Sequence, residues 1–381
     1  MDHAETDLNP RYDRGTLKEV YEMIGKDIEE GIPLIDDTSY AVPKYHFNYK
    51  AACCFASRYY LFIQDWDNAI KYATEALTSN PTSLLRDYDA IAAIPNGTSR
   101  HQAYVQSSSS ANFLVQAATS SAGTVFGWYT TAGRYAHGKL QGTYETVQPK
   151  YGGPWGNSVY FKAGHAVLAS SGKYILPRIW YTFQYTDPVA GTGYSKAVSV
   201  LFCMEEALLN RAEAYVMKMQ EDPSALDSAL ADMNMYASNL FSSGFTPMTE
   251  ESIKKWATET YPNYSELYVG KTSETSPQTL NPKKKLFAPP YNALEKGGTQ
   301  ESMLQALLFM RRYQFLHEGM RWFDTRRFGI TVYRYTLDED DETVLQITDQ
   351  ISDEDGTPDP RRALQLPSDV IAAGLTPNPR N

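Results

Sequence analysis

Residues 315–329, FLHEGMRWFDTRRFG, crowd arginines, acids, a histidine and aromatic rings around one glycine. Such density suits either catalysis or a buried ion-pair network. Catalysis needs a base oriented by an acid beside a nucleophile or metal. His317 and Glu318 are the available pair, but adjacent helical residues point about 100° apart and do not converge. Glu318, Arg321, Asp324 and Arg327 instead recur every three residues with alternating sign, a spacing at which helical neighbours pair. Phe315, Trp322, Phe323 and Phe328 add apolar anchors. Gly319 would weaken a helix interior by about 1 kcal/mol against alanine, so it marks a kink or a turn between helices. The stretch reads as a structural fastener.

Other chemistry finds little support. The histidines (3, 46, 101, 137, 165, 317) are scattered without H-E-x-x-H, and there is no C-x-x-C, so no metal site is expected. Gly270-Lys271-Thr272 resembles the end of a phosphate loop, but Ser265 stands where its first glycine belongs. No G-x-S-x-G elbow occurs. The acidic run Asp338–Glu342 lacks the alternation and central glycine of an EF-hand loop and reads as a solvated hairpin tip. No carboxylate pair is nominated for glycoside hydrolysis. Neither catalytic residues nor cofactors are expected.

The chain has 381 residues, is 42% hydrophobic and 21% charged, in the range of globular proteins with a real core. A net charge of −10 argues against nucleic acid and anionic membrane surfaces as partners. Aromatics reach 13%, led by 28 tyrosines, whose ring and hydroxyl suit partly wet binding surfaces. Three cysteines, Cys53, Cys54 and Cys203, specify no disulfide framework. No stretch approaches the roughly 18 apolar residues of a membrane span. MDHAETDLNPRYD has neither a basic n-region nor an apolar h-region, so the chain is expected to be cytoplasmic or to have its targeting segment elsewhere.

These residues must be positioned by helices. Residues 16–31 carry Leu17, Val20, Tyr21, Ile24 and Ile28 on one stripe, with a Thr16/Glu19 capping box and Gly31 as the stop. Residues 46–81 form two helical patterns around a turn at Gln64–Asp67. Against the 34-residue tetratricopeptide pattern, Ser57, Tyr60, Ala69, Ala76 and Pro81 fit, and Ala73 replaces an aromatic. A second pair at 200–241 is marked by Leu208, Ala212 and Tyr215, then Leu226, Ala229, Leu230 and Met233. A third long helix starts near Glu301. The intervening segments 95–199 and 261–300 are rich in Gly, Ser, Thr, Tyr or Pro and read as loop-rich inserts with short strands. Residues 331–350 read as a hairpin.

The order of these blocks resembles the SusD/RagB family, nutrient-binding lipoproteins of Bacteroidetes outer membranes. The late block keeps Arg311, Glu318, Gly319, Arg321, Trp322, Asp324, Arg327 and Gly329, and departs from the family's usual glutamates at Met310 and Gln314. RAEAY (Arg211–Tyr215) with Asn234, and LQLP followed by Asn378-Pro379, match two further blocks. The resemblance implies a mainly α fold: tetratricopeptide-like helix pairs in a right-handed superhelical scaffold, with long loop-rich inserts and a few short β-hairpins. It implies a single domain over 1–381, framed by 16–81, 200–241 and 301–329, with 95–199 as the ligand-binding insert. It also implies a non-catalytic surface protein that captures a glycan, or a peptide as in RagB-like members, for a SusC-like TonB-dependent transporter. Family members are held at the outer membrane by a lipid anchor. Their signal, lipid-bearing cysteine and first helical region would lie upstream of what this chain contains.

A sugar site wants an aromatic platform flanked by polar donors and acceptors. Residues 126–161 have that composition in Trp128, Tyr129, Arg134, Tyr135, Tyr144, Tyr151, Trp155 and Asn157. Gly152, Gly153 and Gly156 around Pro154-Trp155 would let a ring stand out from the backbone. The competing readings are a cytoplasmic helical scaffold that binds proteins and, more weakly, a glycan hydrolase.

Overall fold

The computed structural model describes residues 6, 15–126, 139–149, 151–157, 159–168, 174–176, 178–262, 269–270, 278–279, 284–339 and 344–380. Its helices are α1 (Leu17–Gly31), α2 (Tyr49–Phe62), α3 (Trp66–Leu77), α4 (Tyr88–Ala93), α5 (Gly97–Tyr104), α6 (Ala122–Phe126), α7 (Met204–Lys218), α8 (Ala225–Leu240), α9 (Glu250–Lys255), α10 (Thr299–Gln314), α11 (Met320–Arg327) and α12 (Ser368–Ala372). The strands are β1 (Asn112–Thr119), β2 (Tyr160–Phe161), β3 (Val167–Leu168), β4 (Tyr174–Ile175), β5 (Ile179–Asp187), β6 (Thr192–Cys203), β7 (Phe241–Ser243), β8 (Val269–Gly270), β9 (Gln278–Thr279), β10 (Val332–Leu337) and β11 (Val344–Ile351).

The fold is mainly helical and tetratricopeptide-like. In α1 the Thr16 hydroxyl accepts from the Glu19 amide, closing the expected capping box. The α-helix ends at Gly31 as expected, but not through a left-handed cap: its φ of −83° is right-handed, and the chain tightens directly into the turn Ile32–Leu34. The α2/α3 pair packs through alanine, with Ala69, Ala73 and Ala76 fully buried. Those small side chains let the two helices, and then α7, approach closely. Gln64, at φ 63°, makes the turn between them.

The segment 95–199 departs from the loop-rich expectation. It holds a three-stranded antiparallel sheet in the order β1-β6-β5, and β6 alone runs 12 residues. The alternation in YSKAVSVLF (194–202) is a strand signal masked by the Ser, Thr and Gly around it. From Cys203, β6 passes into α7 at Met204 without a loop, so the sheet is tied directly to the helical frame. The weak alternation at 331–350 is a hairpin, β10 against β11. Residues 340–343 of its acidic tip lie outside the described residues. At the C-terminus, the Gln365 side chain donates to the Asn378 carbonyl and accepts from its backbone amide, and the Asn378 side-chain amide donates to the Leu364 carbonyl at 2.7 Å.

Helix α7 is the hub. Glu205, Glu206, Asn210 and Glu213 are all buried, and each takes a partner from a different part of the chain. Glu206 accepts two bonds from Arg58 of α2, at 2.6 and 2.8 Å. Glu205 accepts from Arg86 at 2.7 and 3.2 Å. Burial pushes the Glu205 carboxyl up, but the Arg86 guanidinium overcomes this and holds it below the usual carboxylate range. Arg211 forks onto Asp232 of α8 at 2.8 Å through both nitrogens. Arg327 of α11 grips Glu213 with both terminal nitrogens.

The late stretch closes on this hub. Gly319, at φ 80°, is the left-handed residue between α10 and α11. Asp324 accepts from Arg311 of α10 at 2.9 Å and from Arg327 at 3.4 Å. Arg311 donates to Asn210 at 2.9 Å, and Asn210 donates to Ser57 of α2 at 3.0 Å. One hydrogen-bonded chain therefore links α11, α10, α7 and α2. The regular i,i+3 ladder expected across 318–327 is only partly formed. Glu318 precedes Gly319 and lies outside α11, where the positive charges facing it are Arg178 and Arg86. Arg321 donates instead to the Leu308 carbonyl at 3.4 Å. Phe315 and Phe328 are buried anchors. Phe323 is 38% exposed and meets Phe62 edge-on. The half-buried Trp322 keeps an indole N–H without a partner.

Two expectations follow. Asp324→Ala leaves two buried guanidiniums short of an acceptor. Breaking a buried pair costs about 3–5 kcal/mol, so the denaturation midpoint should fall accordingly; an unchanged midpoint would remove the fastener. Burial lifts the Glu318 carboxyl from its ordinary 4.5 to about 8, against the pull of Arg178 and Arg86. Its contribution is therefore fully present below the unfolded value and lost as pH rises through about 8. Glu318→Gln should flatten stability between those two pH values. Parallel pH curves for the two proteins would show that Glu318 does not titrate there.

Candidate functional site

The stretch 315–329 is occupied by the frame, and its histidine is turned to packing. His317, at φ 68°, stacks on Phe126 with ring centroids 5.0 Å apart. Burial lowers its pKa to about 4, so it is neutral near pH 7. Among the described residues no group of three His, Cys, Asp or Glu side chains is placed to hold a metal ion.

Of the eight residues expected to grip a ligand, Trp128, Tyr129, Arg134 and Tyr135 lie outside the described residues. Tyr144 is described only as backbone, within Lys139–Val147. Tyr151, Trp155 and Asn157 are brought together along one cleft. The orientation expected for Trp155 is corrected. Its ring does not stand out but turns inward, 4% exposed, against Phe161, Phe241, Phe309 and Tyr313 at centroid distances of 5.3–6.0 Å.

The glycines serve that inward turn. Gly153 and Gly156 exchange backbone hydrogen bonds at 3.0 and 2.9 Å across Pro154-Trp155. A Cβ on Gly153 would come within 2.7 Å of the Trp155 indole nitrogen. The ring therefore tucks directly beneath the backbone, its buried N–H without a partner.

The cleft has a volume of about 600 Å³, in the range of small-molecule sites. One wall is the turn 151–157. The other comes from a region that sequence reading did not nominate: residues 244–248 with Ser252, Lys255, Trp256 and Thr260. Asn234 of α8 clamps this wall, donating to the Met248 carbonyl at 2.9 Å and accepting from its amide at 2.7 Å. Thr249 caps α9 by accepting from the Ser252 amide. Beyond α9 the chain widens over Trp256–Thr260. Trp256 donates to the Gly152 carbonyl at 3.1 Å and so joins the two walls.

The cleft thus has a floor of buried Trp155, Trp256 and Met248 and a rim of Thr246, Asn157, Ser252, Lys255 and Thr260. Among the described lining residues Lys255 is the one charged side chain, and none is a carboxylate. Tyr160, next to the lining Val159, is 69% exposed. The signal for the second wall was weak: KKWATET (254–260) reads as an ordinary helix, and only the fold sets its tryptophan beside Gly152.

Comparison with known proteins fits this architecture. Residues 1–61 match the family model SusD-like_3, described as starch-binding associating with outer membrane. Among solved structures, a SusD superfamily protein from Bacteroides thetaiotaomicron VPI-5482 aligns with TM-score 0.53 and 16% identity, over 96% of this chain and 67% of that one. A SusD-like protein from Bacteroides fragilis NCTC 9343 gives TM-score 0.53 at 14% identity, over 98% and 73%. A proposed sugar-binding protein from Bacteroides vulgatus ATCC 8482 gives 0.52 at 17%, over 96% and 66%. The chain thus spans about two thirds of the length of the first of these structures. No curated protein sequence matches it significantly. In fold the aligned part of the chain is SusD-like, and residues 1–61 match the SusD-like_3 family model in sequence.

Proposed function

We propose that this protein is a non-catalytic, surface-exposed binding protein that captures a neutral glycan and passes it to a TonB-dependent outer-membrane transporter. The observation that carries the reading is the 151–157/244–260 cleft, with its apolar floor, its rim of amide and hydroxyl groups and no carboxylate among the described lining residues. Sugars offer hydroxyl edges to polar side chains and apolar C–H groups to an apolar floor, and the rim of Asn157, Thr246, Ser252 and Thr260 over that floor supplies both. Hydrolysis of a glycosidic bond needs two carboxylates flanking it, and none is among the described residues that line the cleft. The family description, starch-binding and associated with the outer membrane, supports both the ligand class and the location. In this reading 1–381 acts as one domain, with the frame holding the cleft's walls in register. In this reading a lipid anchor would hold the protein at the surface.

The test uses calorimetry on the intact chain against soluble starch, xylan, galactomannan and a mixed peptide pool. We expect heat of binding with at least one polysaccharide. Asn157→Ala and Lys255→Ala, both at exposed positions, should each weaken it about five- to tenfold, the loss of one or two polar contacts. Binding only to peptides would move the ligand class to the RagB-like alternative. Release of reducing sugar would overturn the non-catalytic reading.

A further inference from the structure

A second hollow lies away from the first and shares none of its lining. It has a volume of about 480 Å³ and is lined by Tyr45, Val105, Gln106, Val115, Gln116, Ala117, Trp180 and Val198. The register of the three-stranded sheet explains its shape. Ala117 of β1 pairs with Val198 of β6, which pairs with Trp180 of β5. These three residues form one row across the sheet. A methyl group at one end and an indole at the other leave a step in the surface.

The opposite side is the turn Pro43–Tyr45. Tyr45 is 57% exposed, so its ring is open to a ligand. Its setting is rigid. Lys44 donates to the Ser109 carbonyl at 2.5 Å, and Asn48 donates to the carbonyls of Pro43 at 3.0 Å and Phe113 at 2.6 Å. The Tyr45 hydroxyl is itself 3.3 Å from the Ser107 hydroxyl. An aromatic ring held this firmly loses little conformational freedom when something stacks on it. Among the described lining residues none is charged, and the polar groups are the Gln106 and Gln116 amides, the tyrosine hydroxyl and the Trp180 indole N–H.

The geometry points to a second saccharide-binding site, at which Tyr45 and Trp180 contact sugar rings of a neutral polysaccharide. Uncharged amides beside two rings suit a ligand with apolar faces and hydroxyl edges, and a hollow lined without charge selects against acidic or basic chains. The ligand class rests on the proposed function, but the site does not depend on the first cleft. Two sites on one protein would let one polymer bind at both, raising its apparent affinity on the order of 100-fold over a short oligosaccharide that reaches only one.

The test is affinity electrophoresis of the full chain in gels cast with soluble starch, xylan or galactomannan. Three variants are run: Tyr45→Ala, Ala117→Ile and the double variant Asn157→Ala/Lys255→Ala. Isoleucine raises the hollow's floor with a residue that strands favour. Circular dichroism and melting of each variant separate loss of binding from loss of fold. If the site exists, Tyr45→Ala and Ala117→Ile each lower the apparent affinity for a retarding polymer roughly tenfold or more. The double variant then retains part of the retardation. Retardation unchanged in Tyr45→Ala and Ala117→Ile but reduced in the double variant overturns the second site and leaves the first cleft standing. Retardation lost in Tyr45→Ala and untouched in the double variant supports the second site and removes the first. If no polymer retards the wild type, both fall.

Discussion

The structure depends on keeping the charges of α7 paired out of water. Glu205, Glu206 and Glu213 are each no more than 3% exposed, and an unpaired buried carboxylate is among the costliest features a fold can carry. Each is answered by an arginine from a distant part of the chain: Arg86, Arg58 and Arg327. These contacts join residues far apart in sequence, so the helix pairs cannot shift relative to one another without stranding a charge. Hydrophobic burial supplies the larger share of stability. The ion pairs fix which arrangement of helices is allowed, because a packing that misplaced one arginine would leave its glutamate uncompensated.

Such a frame can carry segments that contribute little to its own stability. The sheet β1-β6-β5 is welded to α7 through Cys203-Met204, and the 244–249 segment is clamped to α8 through Asn234. Each hollow is thus bounded by elements fastened to the scaffold. The first is walled by a glycine turn and a capped helix, the second by a strand row and a hydrogen-bonded turn. The two floors also differ. In the first cleft the tryptophans are buried and the polar rim is open, whereas in the second the aromatic ring itself stands in solvent. The RWFDTRRFG block takes part in neither: its Arg327 is committed to Glu213 and Asp324, and its Arg321 to the Leu308 carbonyl.

Much of the frame was legible from residue spacing. The capping box at Thr16, the alanine spacing of α3 and the α7/α8 pair follow from local preferences and helical period, which a single segment expresses by itself. The sheet in 95–199 was read only as short strands among loops because Ser, Thr and Gly lowered the apparent strand signal, and pairing between strands outweighed that weak propensity. The ladder expected from Glu318 through Arg327 was half right. Alternating charge identified a network, but α11 begins only after Gly319 and leaves Glu318 outside it, and the partners of Arg311 and Arg327 come largely from other helices.

For the candidate sites, composition pointed to aromatic rings but could not give their direction. By itself the sequence determined the helical repeats, the charge pattern that demands burial in pairs, and the glycines that force the chain to turn at 152–156. Those features rest on backbone preference and on neighbours within one helical turn. Only the tertiary structure decided that Trp155 points inward while Tyr45 points out, and that Trp256 closes a cleft with Gly152. It also decided that Ala117, Val198 and Trp180 share a row. Whether a ring becomes core or surface depends on which distant segment covers it, and that is settled by packing.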